Sequence, residues 1–203
     1  MRAAIPALAL LCTLAACDGD DGGEDGGMAG EDAAVPSGPR AVLSWRMRCA
    51  SGRCPAEEPP ARSIDAVNGQ DGHEVFCDLT LEGDERRLRL TARDREGNGI
   101  EVRGARVGPE GGRLLGSLCQ IRVYETADVD VFGPCGSNNP TADRPCQLQR
   151  VDIREVDGVP TLTGELRCEE VPAEGDDTRL RDVTSPTSAA GHAELTFTGC
   201  LGL

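Results

Sequence analysis

The sequence predicts an all-β protein, an antiparallel β-sandwich of about eight strands that disulfide bonds hold together. Apolar residues alternate with polar ones in one short segment after another, which is the period of a strand with one buried face. Turn signals separate these segments, and no stretch of useful length has the period of a helix. Eight cysteines in the same region are typical of an exported domain stabilised by disulfides.

The first 16 residues have the form of a signal peptide. Arg2 is followed by an apolar run over residues 3–16. That run is too short for a transmembrane helix, which needs about 20 apolar residues. We therefore expect residues 1–16 to be removed on export. The signal is either one that leads to modification of the next residue, Cys17, or an ordinary secretory signal, in which Cys17 has no role.

Residues 17–40 form a second segment, which is acidic and rich in glycine. Seven of the 35 acidic residues lie between Asp18 and Asp32. A segment with so few apolar residues cannot bury a core, so we predict a disordered tether. The remaining residues, 41–203, are then the cysteine-rich β-sandwich domain, which is a suitable length for one domain.

Within the domain, alternation predicts which side of each strand is buried. The first strand places Leu43, Trp45, Met47 and Cys49 inward. The later strands follow the same rule, with these inward residues: Val75, Cys77, Leu79 and Leu81; Leu88, Leu90 and Ala92; Ile100 and Val102; Cys119, Ile121 and Val123; Val129 and Val131; Val151 and Ile153; Leu162, Leu166 and Cys168; Ala193, Leu195 and Phe197.

Three local signals refine this pattern. Asn98-Gly99 lies between two alternating segments, which is a strong hairpin signal. The apolar phase shifts after Gly104, which predicts a β-bulge. The acidic stretch of residues 169–189 has no clear alternation, and we predict that it is irregular.

The cysteine count predicts four disulfides. The eight cysteines that follow the tether are Cys49, Cys54, Cys77, Cys119, Cys135, Cys146, Cys168 and Cys200. No two have the CxxC spacing of a zinc site. Ten residues separate Cys135 from Cys146, so this pair closes a short loop and is the pairing we favour. We complete the set with Cys49–Cys54, Cys77–Cys119 and Cys168–Cys200, three of many arrangements that eight cysteines allow.

The charge of the chain is strongly acidic, with a net charge of −14. Only two of the 21 basic residues precede position 41, so the domain has 28 acids against 19 arginines. Such a surface repels the phosphate backbone, and we therefore do not expect a nucleic acid partner. It could attract cations, although solvation of an exported surface explains the same charge.

Two groups of acidic residues are candidate calcium ligands. Asp94, Glu96 and Asn98 partly match a calcium loop, and Asp128 and Asp130 lie two residues apart on a predicted strand, where their side chains would share one face. A hairpin turn accounts for the first group and a solvated sheet face for the second. Calcium is the one cofactor we consider, and the sequence does not require it.

The sequence offers no catalytic constellation, and we predict a protein that is not an enzyme. A serine hydrolase brings together serine, histidine and an acid, often with a GxSxG turn, and that turn is absent. His73 and His192 both lie at turns or strand ends, where a histidine needs no function. Of the aromatic residues, we expect Trp45 in the core and Tyr124 on the surface.

The segment Leu14-Ala15-Ala16-Cys17 resembles the lipobox of bacterial lipoproteins. The resemblance implies that a signal peptidase cuts before Cys17 and that its thiol carries a diacylglycerol. The whole chain is similar in style to small cysteine-rich lipoproteins of GC-rich Gram-negative bacteria. This implies a cell-envelope protein whose membrane contact is a lipid anchor. The outer membrane or cell surface is favoured over the inner membrane, and the periplasmic face is the alternative.

Three functions are consistent with these observations. The first is a lipid-anchored, non-enzymatic interaction or structural domain, whose partner is a protein or polysaccharide of the cell envelope. The second is a calcium-assisted domain that binds glycans or surface polymers and uses loop acids such as Asp94 and Asp128. The third is a lipid-anchored hydrolase.

Overall fold

The computed structural model describes residues 38–116 and 119–202. The predicted signal peptide, Cys17 and the predicted tether up to residue 37 lie outside this part, so the expectations about them stay predictions. The described residues contain β-strands and turns, which confirms the all-β prediction. No helix in this part of the chain is long and apolar enough to cross a membrane.

The described residues form twelve strands, rather than about eight, and all of these belong to one sheet. They are β1 Arg40–Ser51, β2 Arg62–Val67, β3 Glu74–Glu82, β4 Glu85–Arg93, β5 Gly99–Val107, β6 Gly111–Gly112, β7 Gln120–Tyr124, β8 Val131–Gly136, β9 Cys146–Val156, β10 Val159–Ala173, β11 Asp176–Thr184 and β12 Ala193–Thr198.

The long strands β1 and β10 enclose β11 and β12, which lie end to end between them. The first half of β1 pairs with β12 and its second half with β11. The two halves of β10 pair with the same strands in the same order. Residues 185–192 therefore form a loop that interrupts what is otherwise one continuous line of strand.

The prediction that residues 169–189 are irregular is wrong for most of that stretch. β10 continues to Ala173, and β11 occupies Asp176–Thr184. Val171 and Val183 face the core, while the many acids between them lie at exposed or half-buried positions. Charged residues on the solvent side outnumber the few buried apolar residues of this strand, so its alternation is not visible in the sequence.

The sheet continues from β10 through β9, β8, β7, β5 and β4 to β3. Its pairs are antiparallel except β8 and β9, so the sheet is mixed. The C-terminal segment joins β3 after β12 ends. Leu79 N–H donates to the Leu201 carbonyl, and Leu201 N–H donates to the Cys77 carbonyl, both at 2.9 Å. The last strand in this order is thus connected to the segment that follows β12.

One hydrophobic core lies against the sheet, and it contains nearly all of the predicted inward residues. Trp45 is fully buried, as predicted, and Phe197 is the other large aromatic residue of the core. Cys49 and Leu81 are corrections, because Cys49 is half-buried and outside this core and 52% of Leu81 is exposed. Leu81 lies next to the β3–β4 turn, beyond the edge of the core.

The β4–β5 hairpin confirms two of the local predictions. The strands turn at residues 94–98, and Arg93 pairs with Gly99. The register shifts where Leu88 faces Ala105 and Arg89 faces Arg103, which leaves Gly104 as the extra residue of a bulge. Gly104 has a φ of 68°, in the left-handed region that glycine adopts without strain.

Four disulfides are present among the described residues, and they use all eight cysteines of the domain. The pairs are Cys49–Cys54, Cys77–Cys200, Cys119–Cys135 and Cys146–Cys168. The Cys49–Cys54 prediction is confirmed. The other three predicted pairs, Cys135–Cys146, Cys77–Cys119 and Cys168–Cys200, are wrong.

The favoured Cys135–Cys146 pair fails for a structural reason. These two residues are indeed neighbours across β8 and β9, but Cys146 is equally a neighbour of Cys168 across β9 and β10. On the side of β8 away from β9, Cys135 N–H donates to the Cys119 carbonyl at 2.9 Å. Four cysteines therefore stand side by side, and distance along the chain does not indicate which neighbours bond.

We predict that the disulfides contribute unequally to stability. Replacing Cys77 and Cys200 with Ala removes a link across 123 residues, worth about 4–5 kcal/mol of unfolding free energy in the chain-entropy model. The same change at Cys49 and Cys54, which are five residues apart, should cost about 2 kcal/mol. Urea unfolding of the two double variants measures the difference, and equal losses would contradict the prediction.

Candidate binding surface

Arginine and aromatic side chains share the solvent side of strands β3, β4, β5, β7 and β8. Alternation sends Val75 and Leu88 into the core, so Phe76 and Arg89 point to the opposite side. We call this surface the arginine–aromatic face. It consists of Phe76, Arg87, Arg89, Arg93, Arg103, Arg106, Arg122, Tyr124 and Phe132.

The register of the sheet arranges this face in rows that cross the strands. One row is Phe76, Thr91, Glu101, Arg122 and Phe132, and the next is Asp78, Arg89, Arg103, Gln120 and Pro134. Adjacent strands lie about 4.8 Å apart, so the two phenylalanines at the ends of the first row are about 19 Å apart. The face is thus a surface five strands wide, with an aromatic ring at each side.

Guanidinium groups lie over the rings of this face. Arg89 Cζ lies 5.1 Å from the centre of the Phe76 ring, and Arg122 Cζ lies 5.4 Å from that of Phe132. Arg93 approaches Tyr124 most closely, at 3.6 Å. Each of these contacts is a cation–π interaction, which holds a planar guanidinium without using its hydrogen-bond donors on a carboxylate.

Gly99 explains why Arg93 reaches Tyr124. In the register Gly99 lies between them, on the central strand β5. A Cβ atom at position 99 would lie 2.1 Å from the Ala92 carbonyl oxygen and 2.9 Å from Arg93 Cγ. Because glycine has no side chain, the arginine crosses β5 and covers the ring. Tyr124 is consequently only 7% exposed, which corrects the prediction that it is the surface aromatic; Phe132 and, in part, Phe76 have that position.

A buried carboxylate supports the face from below. Glu101 is 5% exposed and accepts a hydrogen bond from the Tyr124 hydroxyl at 2.8 Å. Its other oxygen accepts one from Arg103 Nε. Polar contact with Tyr124, followed by the charges of Glu174 and Glu101, raises the pKa of Arg122 above its ordinary value. These contacts fix the side chains in place.

The charge of this face differs from that of the domain. On the central strands β4, β5 and β7, from Arg87 onward, the solvent-accessible charged residues are arginines, since Glu101 is covered. Arg103 and Arg122 each have a carboxylate partner, Glu101 and Glu174. Arg89 and Arg93 have none within 4.0 Å among the described residues. Two cations are therefore available to a ligand.

The sequence contained part of the signal for this surface. Arg87-Leu88-Arg89-Leu90 alternates with the arginines outward, and Phe76 lies between two inward residues. The missing information was which strands are neighbours, because β5 and β7 are separated by residues 108–119 and β8 by a further loop. Only the register brings these residues into common rows.

The first predicted calcium group is a turn that is closed by its own hydrogen bonds. One oxygen of Asp94 accepts from the N–H groups of Glu96 and Asn98, and the other accepts from the Asn98 side chain at 3.0 Å. The Asn98 side-chain oxygen accepts from the N–H and hydroxyl of Thr126. The hairpin interpretation accounts for these residues. The bonds between Asn98 and Thr126 also connect the loop of residues 94–98 to the loop of residues 125–130.

The second predicted calcium group lies in that neighbouring loop and not on a strand. Asp130 accepts a hydrogen bond from Glu125 N–H at 3.1 Å. Asp128 is buried, and both of its oxygens bind the guanidinium of Arg181. The two residues therefore do not share a strand face as predicted. Among the described residues, no three acidic, histidine or cysteine side chains form a group that could hold a metal ion.

Arg181 is the centre of a buried polar cluster. Its side chain is 0% exposed, and that of Asp128 is 2% exposed. Besides Asp128, Arg181 donates to the carbonyls of Arg53 and Leu180 at 2.8 and 3.0 Å. The cluster therefore connects β11 to the loop closed by Cys49–Cys54 and to the loop of Asp128.

Within the described residues, neither histidine makes a hydrogen bond to a serine hydroxyl or to the other histidine. His192 Nε2 lies 2.9 Å from Gln149 Nε2 and 3.3 Å from Gln147 Oε1, and its Nδ1 lies 3.8 Å from Glu165. His73 N–H donates to Gln70 in a turn, and its Nδ1 has no hydrogen-bond partner within the described residues.

A groove of about 760 Å³ lies on another part of the surface, near the Cys49–Cys54 loop. Its lining includes four carboxylates, Glu169, Glu170, Asp177 and Asp182, beside small apolar residues. Asp182 accepts a hydrogen bond from Glu170 N–H at 2.9 Å. The groove is acidic, like the domain as a whole, and has none of the aromatic residues of the arginine–aromatic face.

We predict that the Asp128–Arg181 pair is needed for stability. Asp128→Asn leaves a buried guanidinium without its counter-charge and should cost about 3–5 kcal/mol. The double variant Asp128→Leu with Arg181→Met removes both charges and should cost less than the single change. Urea unfolding of both variants measures this, and a loss below about 1 kcal/mol for Asp128→Asn would show that the pair contributes as little as an exposed one.

We also predict that calcium does not stabilise the folded domain. The oxygens of Asp94 and Asp128 already accept protein hydrogen bonds, so a calcium ion would have to displace them. The melting temperature should therefore be the same in EDTA and in millimolar calcium. A ligand that binds the folded state raises it with concentration, so a calcium-dependent rise would contradict the prediction.

Comparison with protein-family models, with curated proteins and with solved structures found no match to this chain. The residues and contacts described above are what supports a function.

Proposed function

We propose that this protein is a lipid-anchored component of the bacterial cell envelope whose domain is a non-enzymatic interaction module. The observation that carries the proposal is the arginine–aromatic face. Three of the chain's five aromatic residues lie on it, although aromatic residues are normally the main source of buried area in a core. Two of its arginines, Arg89 and Arg93, are held over rings and have no carboxylate partner among the described residues. Such a surface is suited to contact with a partner.

The lipid anchor rests on the resemblance of Leu14–Cys17 to a lipobox. The disulfides support it indirectly, because the eight cysteines of the domain bond to one another and none needs Cys17 as a partner. Four disulfides are also typical of an oxidising compartment outside the cytoplasm. The tether would then hold the domain away from the membrane, at the outer membrane or cell surface.

The fold part of the proposal is that the sheet forms two packed layers, as in a β-sandwich. What supports it is that residues of β1 and β12 and residues of β3, β4 and β5 belong to the same core cluster, although β1 and β3 lie far apart in the strand order. A twisted sheet must fold over for such strands to share one core.

The absence of an enzymatic role is also part of the proposal. His192 and Glu165 are the pair that most resembles a catalytic arrangement, and their neighbours are the glutamines 147 and 149. The cysteines of the domain are in disulfides, so none of them is a thiolate nucleophile. We expect a protein or polysaccharide of the envelope as the partner.

We predict that Cys17 is required for membrane attachment. In cells that express the full chain, Cys17→Ala should move the protein from the membrane fraction to the soluble fraction or leave its precursor uncut. Cys12→Ala is the matched control, because it removes a thiol from the signal peptide without changing the lipobox cysteine. Fractionation, immunoblotting and metabolic labelling with a radioactive fatty acid measure the result. If Cys17→Ala remains membrane-bound, correctly processed and labelled, the anchor proposal is wrong.

A further inference from the structure

The arginine–aromatic face contains the two kinds of group that bind an acidic sugar polymer. The planar guanidinium of arginine presents a fork of N–H donors that matches the two oxygens of a carboxylate. Aromatic rings provide apolar surface on which the C–H side of a sugar ring can stack. On this face Arg89 and Arg93 provide the first group, and Phe76 and Phe132 provide the second.

Position on the sheet favours an extended ligand. Phe76 and Phe132 are at opposite sides of the face, separated by about 19 Å, and Arg122 lies in their row. Arg89 and Arg103 occupy the next row. A chain that lies across the strands would therefore meet rings at both sides and guanidinium groups between them. The side chains are on strands and not on loops, which keeps their spacing constant.

Charge distinguishes the face from its surroundings. The domain has nine more acids than arginines, and yet the solvent-accessible charges on β4 from Arg87 onward, on β5 and on β7 are those of arginines, with the acids Asp78 and Glu82 beside them on β3. An acidic polymer would be attracted to this face and repelled by most of the rest of the surface. That repulsion would be strongest for a nucleic acid, because its phosphates are densely spaced. A polysaccharide with separated carboxylates is a better match.

We propose that the arginine–aromatic face binds an acidic, carboxylate-bearing polysaccharide, with Arg89 and Arg93 as its ionic contacts and Phe76 and Phe132 as its stacking contacts. The proposal rests on the proposed function, since an anchored domain outside the cytoplasm meets the polysaccharides of the envelope. It names the class of partner and the residues that select it. Arg103 and Arg122, which already have carboxylate partners, support the face and contribute less to binding.

Binding of polygalacturonate to the full chain, purified in detergent, tests this proposal. Polygalacturonate has a carboxylate on each sugar, and its fully methyl-esterified form is the matched control ligand with the same backbone. Isothermal titration or biolayer interferometry at low salt should show binding to the acid and at least about tenfold weaker binding to the ester. Binding of the acid should also weaken as salt is added.

Protein variants then locate the site. Arg89→Gln with Arg93→Gln should weaken binding of polygalacturonate at least about tenfold, and Phe132→Ala should weaken it severalfold. The matched control is Arg150→Gln with Arg154→Gln, which removes the same charge from exposed arginines on β9 that have carboxylate partners. That double variant should bind like the wild type. Melting temperatures confirm that each variant is folded.

Four results would overturn the proposal. The first two are equal binding of polygalacturonate and its methyl ester, and unchanged binding of polygalacturonate by the Arg89 and Arg93 variant. The third is tighter binding of single-stranded DNA than of polygalacturonate, and the fourth is binding of polygalacturonate only after the acids between Asp18 and Asp32 are replaced by amides. The last result would identify the tether as the occupant of the face. The assay does not depend on the lipid, so its failure and the failure of the anchor are separate results.

Discussion

The connection between the C-terminal segment and β3 is the constraint on which the rest of the structure depends. β12 lies between β1 and β10, whereas β3 is at the far end of the strand order. The Cys77–Cys200 disulfide and the hydrogen bonds of Leu201 join the two. Arg86 strengthens the same junction, because its guanidinium donates to the carbonyls of Leu79, Pro109 and Gly202. Backbone groups at this edge of the core are thereby satisfied without water.

The chain's few aromatic residues give the arginine–aromatic face its significance. The core uses Trp45 and Phe197, and aliphatic residues with three of the four disulfides complete it. Phe76, Tyr124 and Phe132 lie on the other side of the sheet, where alternation in β3, β7 and β8 places them. Arginines cover these rings, which reduces the apolar area that water contacts and holds the guanidinium groups in place. The same contacts that make the face stable also make it suitable for an acidic partner.

Much of the fold could be predicted from the sequence alone. Alternation identified the buried side of β1, β3, β4, β5, β7 and β12, because a strand with one buried face must repeat every two residues. The phase shift at Gly104 located the bulge, and the even number of cysteines predicted that all eight would pair. The same alternation already placed Arg87 and Arg89 on the solvent side, although the aromatic residue predicted to be exposed was Tyr124 and not Phe76 or Phe132. These are local properties, because each depends on residues that are close to one another in the sequence.

Only the tertiary structure decided which of these local features meet. Asp128 looked like a solvated strand residue, but the fold buries it against Arg181, 53 positions away. Cys146 has a cysteine neighbour on each of two strands, Cys135 on β8 and Cys168 on β10, and its bond to Cys168 depends on the tertiary structure. The rows from Phe76 to Phe132 exist because β3, β4, β5, β7 and β8 lie side by side. The sequence by itself determined which side of most strands is buried, whereas strand order and register determined the partners, because residues distant in the chain become neighbours only when the sheet forms.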